Sequence, residues 1–390
     1  MARILYVSDG YSPHDRRFLE RLAESEHDIW YLRCAADAVR CEERPLPPGI
    51  HALEPLSGKP TSPGSLNWIR AALHFRRVIR EVQPEIVHAG PVQTGGFFAA
   101  LSGFHPLLIM SWGSDVLAVP DKSAWMGWVT KFTLRRADIA LGDCNAVRER
   151  ISSLGALPDD RIVTFPYGID VETFRPKTPE LGLRKKLNWE GCRVVISTRS
   201  FETCYGTMIF LEAMRRVLAD SPAVRVLMLG DGGLRTEVEA FIERNALKEK
   251  IYLTGQVRED LLPDYFAEAD LYVSAAYCDG SSISLLQAMG CGLLAIVTNG
   301  YGNREWVAHR ETGWLYPAGN TDALAATVLE ALRENDLRAA IREANIAIVP
   351  SRTNWELNFE KLLAVYDRML FRRTVGKVKE VRTHAQLSNR

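Results

Sequence analysis

Short apolar runs rich in β-branched residues alternate with amphipathic stretches along this chain, and the alternation occurs twice. In the first half, residues 4–8, 28–32, 86–89, 107–112, 139–142 and 162–166 read as strands bounded by Gly, Pro or Asp. Residues 15–25, 66–82, 95–102, 124–137 and 146–154 read as the helices between them; in the last, Val147 and Ile151 recur at a four-residue step. Residues 175–190, with Pro176, Pro179 and clustered charges, interrupt the pattern. It restarts with strands at 193–198, 225–229, 251–254, 271–274, 294–297 and 314–316, and helices at 208–219, 234–245, 260–267, 284–289 and 321–334. Such an alternation predicts an α/β chain whose parallel sheets are covered on both faces. Ligands then bind outside the carboxyl ends of the strands, where the strand order reverses.

A length of 390 residues accommodates two such units. The expected domains are 1–174 and 175–354, followed by an amphipathic helix over 355–371 that packs back toward the first domain. Trp355, Phe359, Leu362, Leu363 and Tyr366 share one face of that helix. The basic tail 372–390 carries no core pattern and is expected to be disordered. Basic and acidic residues balance at 48 each, so no global field favours nucleic acid. The seven cysteines stand singly, without a CxxC pair or a histidine at zinc spacing, which implies reduced thiols. The first apolar run stops at Asp9 and Gly10, and no run of ~18 uncharged apolar residues occurs; a cytoplasmic location is expected.

The densest chemical signal runs from Asp279 to Gly292, where a strand leads into a Gly/Ser loop that opens a short helix. Free N–H groups at a helix start suit a diphosphate. Gly280 lets the backbone come close, and Ser281, Ser282 and Ser284 add hydroxyls. Ser284 with Gln287 three residues on is also a capping box, which needs no ligand.

In order and spacing, a series of short words resembles the family-four retaining glycosyltransferases over essentially residues 1–370. They are Phe165-Pro-Tyr-Gly-Ile-Asp170 before Phe174-Arg-Pro, Leu229-Gly-Asp-Gly232, Thr254-Gly255, Ala269-Asp270, Gly302-Asn-Arg-Glu305 and Thr312-Gly313. Arg199-Ser-Phe-Glu-Thr-Cys-Tyr205, Asp-Gly-Ser-Ser and Asn-Arg-Glu-Trp306 are similar to one branch of that family. The resemblance implies a GT-B fold, two Rossmann-like doubly wound parallel-sheet domains facing a cleft. It also implies retaining, metal-independent transfer from a nucleotide sugar, UDP-linked, with no further cofactor and the leaving diphosphate helping to deprotonate the acceptor. No Asp-x-Asp motif stands ready to hold a metal.

Carried over by position, Asp279 holds the donor sugar and Gln287 the ribose, where the family has two glutamates. Arg199 neutralises the diphosphate. The lysine that usually follows is replaced by Tyr205, before Gly206, and Arg304 is a candidate substitute cation. Ser281, Ser282 and the Ile283 amide contact phosphate or sugar. Arg258 lies near the base pocket, or is one more solvated arginine.

On the acceptor side, Gly10 permits close backbone approach, and His14 orients an acceptor, acts as base, or is merely solvated. Gly113 allows a tight turn near the donor sugar, and Asp115 accepts from a hydroxyl. The loop from Gly90 to Gly96 is a strand-end site or a plain helix start. The acceptor is a glycan, a lipid-linked molecule or a small molecule. Residues 122–136 mix Trp125, Trp128 and Phe132 with Lys131, Arg135 and Arg136. Two readings fit: peripheral contact with an anionic membrane, or a core-facing apolar side backed by a solvated basic one. Two further activities compete, a catalytically silent nucleotide-sugar binder or partner subunit and a nucleotide-sugar epimerase. A dinucleotide dehydrogenase is disfavoured, because neither half opens with GxGxxG.

Overall fold

A computed structural model describes residues 1–35, 44–56 and 66–388, with side chains in the last stretch described from 68 to 372. Its contacts divide the chain into two units, Met1–Phe165 together with the chain from Phe359, and Pro166–Asn358.

The first unit is built on a seven-stranded, all-parallel sheet in the order β3-β2-β1-β4-β5-β6-β7. The strands are β1 Arg3–Ser8, β2 Asp28–Arg33, β3 His51–Ala52, β4 Ile86–Ala89, β5 Leu107–Met110, β6 Ile139–Gly142 and β7 Ile162–Thr164. Every residue of β4, β5 and β6 is buried, as a sheet covered on both faces requires. The helices α1 Pro13–Ala23, α2 Leu66–Val82, α3 Gly95–Ser102, α4 Ser114–Leu117, α5 Ala124–Arg135 and α6 Asn145–Ser153 connect them. Two-residue β3 is an exposed edge strand, too short to leave a periodic signal.

The second unit repeats the plan with six parallel strands in the order β10-β9-β8-β11-β12-β13. These are β8 Arg193–Ser197, β9 Val224–Leu229, β10 Ile251–Gly255, β11 Leu271–Val273, β12 Leu294–Thr298 and β13 Trp314–Tyr316. Its helices are α7 Leu183–Lys186, α8 Thr207–Asp220, α9 Arg235–Arg244, α10 Leu262–Ala267, α11 Ile283–Gly290, α12 Thr321–Arg333 and α13 Asn335–Thr353. Helix α13 was not expected. Its buried stripe is Ile341, Asn345, Val349 and Thr353, so two of four inward positions are polar and blur the apolar period.

The unit boundary also falls earlier than the Pro-containing stretch at 175–190. Ile169 N–H donates to the Thr353 carbonyl at 2.7 Å, Trp355 N–H returns a bond to Ile169 at 2.9 Å, and Phe174 is buried in the second core. Residues 166–174 therefore belong with the second unit.

The last helix, α14, spans Trp355–Ser388, so helical backbone continues where a structureless tail was expected; side chains beyond 372 lie outside the described residues. From Phe359 onward it belongs to the first unit, burying Phe359, Leu362, Val365, Tyr366 and Met369. There the Tyr366 hydroxyl meets His88 Nδ1 at 2.6 Å inside the core, while His88 Nε2 faces Met110 sulfur at 3.3 Å. Sulfur only accepts, so Nε2 carries the proton and Nδ1 accepts from Tyr366.

Burial pushes the His88 imidazole down to about 3, so it stays neutral in the native state. The unfolded chain takes up that proton below about pH 6.5, and stability falls as pH drops from there toward 3. Tyr366→Phe is expected to cost about 1–3 kcal/mol in denaturant unfolding, because it strands a buried nitrogen.

Candidate functional site

In the second unit the strand order reverses between β8 and β11, and the loops leaving these two strands meet. Arg199 follows β8 and Asp279 follows β11. Their side chains form a 2.7 Å ion pair, with only 13% and 11% of each exposed. Arg199 Nη1 also donates to the hydroxyls of Ser282 at 2.8 Å and Ser284 at 2.9 Å. The pair is incompletely satisfied: Arg199 Nε and Asp279 Oδ2 are buried with no hydrogen-bond partner. Such groups cost free energy unless something completes them. Burial opposes both charges; the neighbouring Asp279 keeps Arg199 ionised, whereas burial pushes the Asp279 carboxyl up against the pull of Arg199.

Beside the pair, α11 begins at Ile283, and the side chain of Ser282 just before it does not cap it. Its first turn thus presents N–H groups with no side-chain cap. The capping box suggested by Ser284 and Gln287 does not form. Ser284 lies inside the helix and bonds Arg199 and the buried Tyr272 hydroxyl, the latter at 2.9 Å. Ile283 starts the helix and packs against the core beneath.

Several assignments change. Tyr205, at the position of the usual lysine, lies under Arg199, with the guanidinium carbon 4.1 Å from the ring centroid. It supports the cation instead of adding one. The next residue, Gly206, has φ +64° and sits so close to Ala275 that a Cβ would lie 2.2 Å from its carbonyl oxygen. Ser281 is buried, its hydroxyl accepting from Trp306 Nε1 at 3.1 Å. Gly280 is pinned by the turn Tyr301–Glu305, where a Cβ on Gly302 would meet the Gly280 carbonyl at 2.2 Å. Arg304 rides on that turn, with its Nε donating to Asn299 at 2.7 Å and its side chain exposed. Arg258 pairs with Asp260, Nε to Oδ1 at 3.0 Å, on the surface.

Gln287 is 4% exposed and donates from Nε2 to Glu259 at 2.8 Å. A carboxylate thus reaches this place from the turn Glu259–Leu261, and residue 287 supplies its donor. Sequence reasoning missed Glu259 because its partner is 28 residues away. Gln287→Glu would set two carboxylates against each other. The shared pKa rises above that of the unfolded chain, so the loss of stability appears above about pH 4–5 and is relieved on acidification. The melting temperature of this variant is expected to fall at pH 7.5 and to approach that of the parent near pH 5. Equal deficits at both values would contradict the pairing.

The first unit has its own reversal, between β1 and β4. Asp9 follows β1. Burial pushes its carboxyl up to about 6 against the pull of Thr94 and the Gly95 N–H, with Asp15 and Asp115 adding repulsion, and Oδ1 is buried without a partner. Sequence reading passed over Asp9 for its neighbours. The Gly10 carbonyl accepts from Ser8 and Tyr31 hydroxyls, each at 2.8 Å. His14 is exposed, its ring stacked on Trp112 with centroids 5.6 Å apart. Gly113 has φ +87° and starts α4.

Asp115 is no open hydroxyl acceptor. Oδ1 takes bonds from the Ser111 hydroxyl at 2.6 Å and the Trp112 N–H at 3.0 Å, and Oδ2 takes one from the Val92 N–H at 3.0 Å. It ties the β4 loop to the β5 loop. Gln93 reinforces the tie by donating to the Asp115 carbonyl and to Thr130.

Residues 3–141 match the family model Glycosyl transferase 4-like, and residues 182–347 match Glycosyl transferases group 1. The GPI3 subunit of phosphatidylinositol N-acetylglucosaminyltransferase from Saccharomyces cerevisiae is 24% identical over 205 residues, covering 53% of this chain and 45% of that protein. A GDP-mannose-dependent phosphatidylinositol monomannoside mannosyltransferase from Corynebacterium glutamicum is 26% identical over 247 residues, 60% of each. The chain thus spans about half the length of the curated relatives it matches. Among solved structures, Anabaena HepE in complex with UDP and glucose superposes with a TM-score of 0.77 at 18% identity, covering 94% of this chain and all of that one.

Proposed function

The chain belongs to the group-1 glycosyltransferases of GT-B fold, and we propose that it moves a sugar from a nucleotide donor to a lipid-borne acceptor with retention of configuration. The observation that carries the donor half is the incompletely satisfied Arg199–Asp279 pair beside an uncapped helix start. Arg199 Nε is a donor in search of a phosphate oxygen, and Asp279 Oδ2 an acceptor in search of a sugar hydroxyl. A sugar diphosphate supplies both.

In the proposed step the bond from the anomeric carbon to the diphosphate oxygen breaks. The acceptor oxygen bonds that carbon on the same face, and its proton passes to the leaving diphosphate. Arg199 and the first turn of α11 stabilise the charge that develops, with no metal required. UDP-sugars are the first donors to try, given the ligands of HepE. The names of the yeast and corynebacterial relatives support a lipid acceptor. A cytoplasmic setting accords with nucleotide-sugar supply, and no described helix is long and apolar enough to cross a membrane.

Melting the protein against UDP-, GDP-, ADP- and TDP-sugars tests the donor site, since a ligand of the native state raises the melting temperature. One donor class is expected to do so, and Arg199→Ala to abolish its shift and lower kcat/KM about 10²–10³-fold. A full shift in Arg199→Ala would refute the site.

Asp9 is proposed to accept, as a carboxylate, a hydrogen bond from a hydroxyl of the acceptor other than the one that attacks. Its raised pKa predicts kcat/KM rising with pH through about 6. In Asp9→Asn that acid limb should vanish along with most of the activity; an unchanged limb would assign it elsewhere.

A second reading, a donor-binding subunit without turnover, draws on Tyr205 standing where the second cation is expected. Donor binding without transfer or hydrolysis would favour it.

A further inference from the structure

Helix α5 departs from the arrangement of an ordinary surface helix. Its buried side is made of Val129, Thr130, Thr133 and Leu134. The tryptophans lie on the other side, Trp125 42% and Trp128 49% exposed, alongside exposed Lys131, Arg135 and Arg136. Trp125, Trp128 and the basic residues thus share one outward face, while half-buried Phe132 leans on the buried Phe97 of α3. The rings form a continuous ladder: Trp125 on Trp128 at 5.0 Å and 13°, then Trp128 on Phe132 at 5.1 Å and 23°. The Arg136 guanidinium sits 4.6 Å above the Phe132 ring centroid. Phe97 of α3 touches Trp128, Phe132 and also Trp68 of α2, the helix that leaves Ile69 and Leu73 exposed.

Charge selects the occupant. From Lys122 to Arg136 there is no acidic residue, against four basic ones, in a chain whose total charge is balanced. A two-fold contact with a second copy would set like charges together. A single-stranded nucleic acid needs open ring faces, and these rings are largely stacked on each other. Half-exposed indoles beside lysine and arginine match the boundary of an anionic bilayer, where the rings enter the headgroup region and the cations meet lipid phosphates.

We propose that the outer face of α5 docks the protein on anionic membrane surfaces. The inference is independent of the donor site, which lies in the other unit, so the two can fail separately.

The test is sedimentation of the full chain with vesicles of phosphatidylcholine alone or mixed with phosphatidylglycerol, without any donor. Binding to the anionic vesicles, weakened by salt, is expected, with a blue shift of tryptophan emission. Trp125→Ala/Trp128→Ala and, separately, Lys131→Glu/Arg135→Glu should each weaken binding at least about tenfold. All four side chains are exposed, so circular dichroism and melting should stay close to the parent and exclude misfolding. No partition at low salt, or partition of both variants equal to that of the parent, would overturn the proposal. So would a dimer by light scattering that the tryptophan variant abolishes, or an oligonucleotide displacing the protein from vesicles at lower concentration than phosphatidylglycerol recruits it.

Discussion

A guanidinium and a carboxylate withdrawn together from water organise the second unit at its strand ends. Neither charge is comfortable alone in such a place, and the attraction between them offsets only part of the lost hydration. Arg199 recovers a further part by gathering Ser282 and Ser284, and rests its flat face on Tyr205. Those contacts hold the start of α11 against the end of β8. Around them the backbone is packed to contact: Gly206 against Ala275, Gly302 against Gly280. The loops behave as one assembly because no member can shift without exposing a buried polar atom or opening a gap between two main chains.

The first unit solves the same geometrical problem with different chemistry. Its loops are joined by a carboxylate taking up N–H and hydroxyl groups, Asp115 bonding Ser111, Trp112 and Val92. A carboxylate surrounded in this way acts as a rivet. Asp9, on the neighbouring loop, has an oxygen with no such company. The two aspartates thus differ in what remains for them to do.

The frame of both units was legible from periodicity because buried parallel strands such as 86–89 and 139–142 are short, mostly apolar runs, His88 being the exception, and the same residues emerge as β4 and β6. Helix α13 was not, since Asn345 and Thr353 occupy its inward stripe. In the site, Arg199, Asp279 and the Gly/Ser loop were readable as types in order. Their partners were not: Gln287 finds Glu259 across 28 residues, and Tyr272 looks like core until its hydroxyl reaches Ser284. Motif spacing records which residues are near in sequence. Whether an acceptor such as Asp115 is already occupied depends on loops brought together only by the fold.

The first unit is interrupted: β1 to β7 come before the second unit, and Phe359 to Met369 come after it. His88, at the heart of its sheet, is hydrogen-bonded by Tyr366. During vectorial synthesis the ribosome releases the whole parallel sheet, then the whole second unit, before that hydroxyl emerges. The nascent sheet must carry an unsatisfied imidazole and an uncovered apolar face through that interval. Translation speed across the second unit, and chaperones that shield such a face, thus enter the folding of the first.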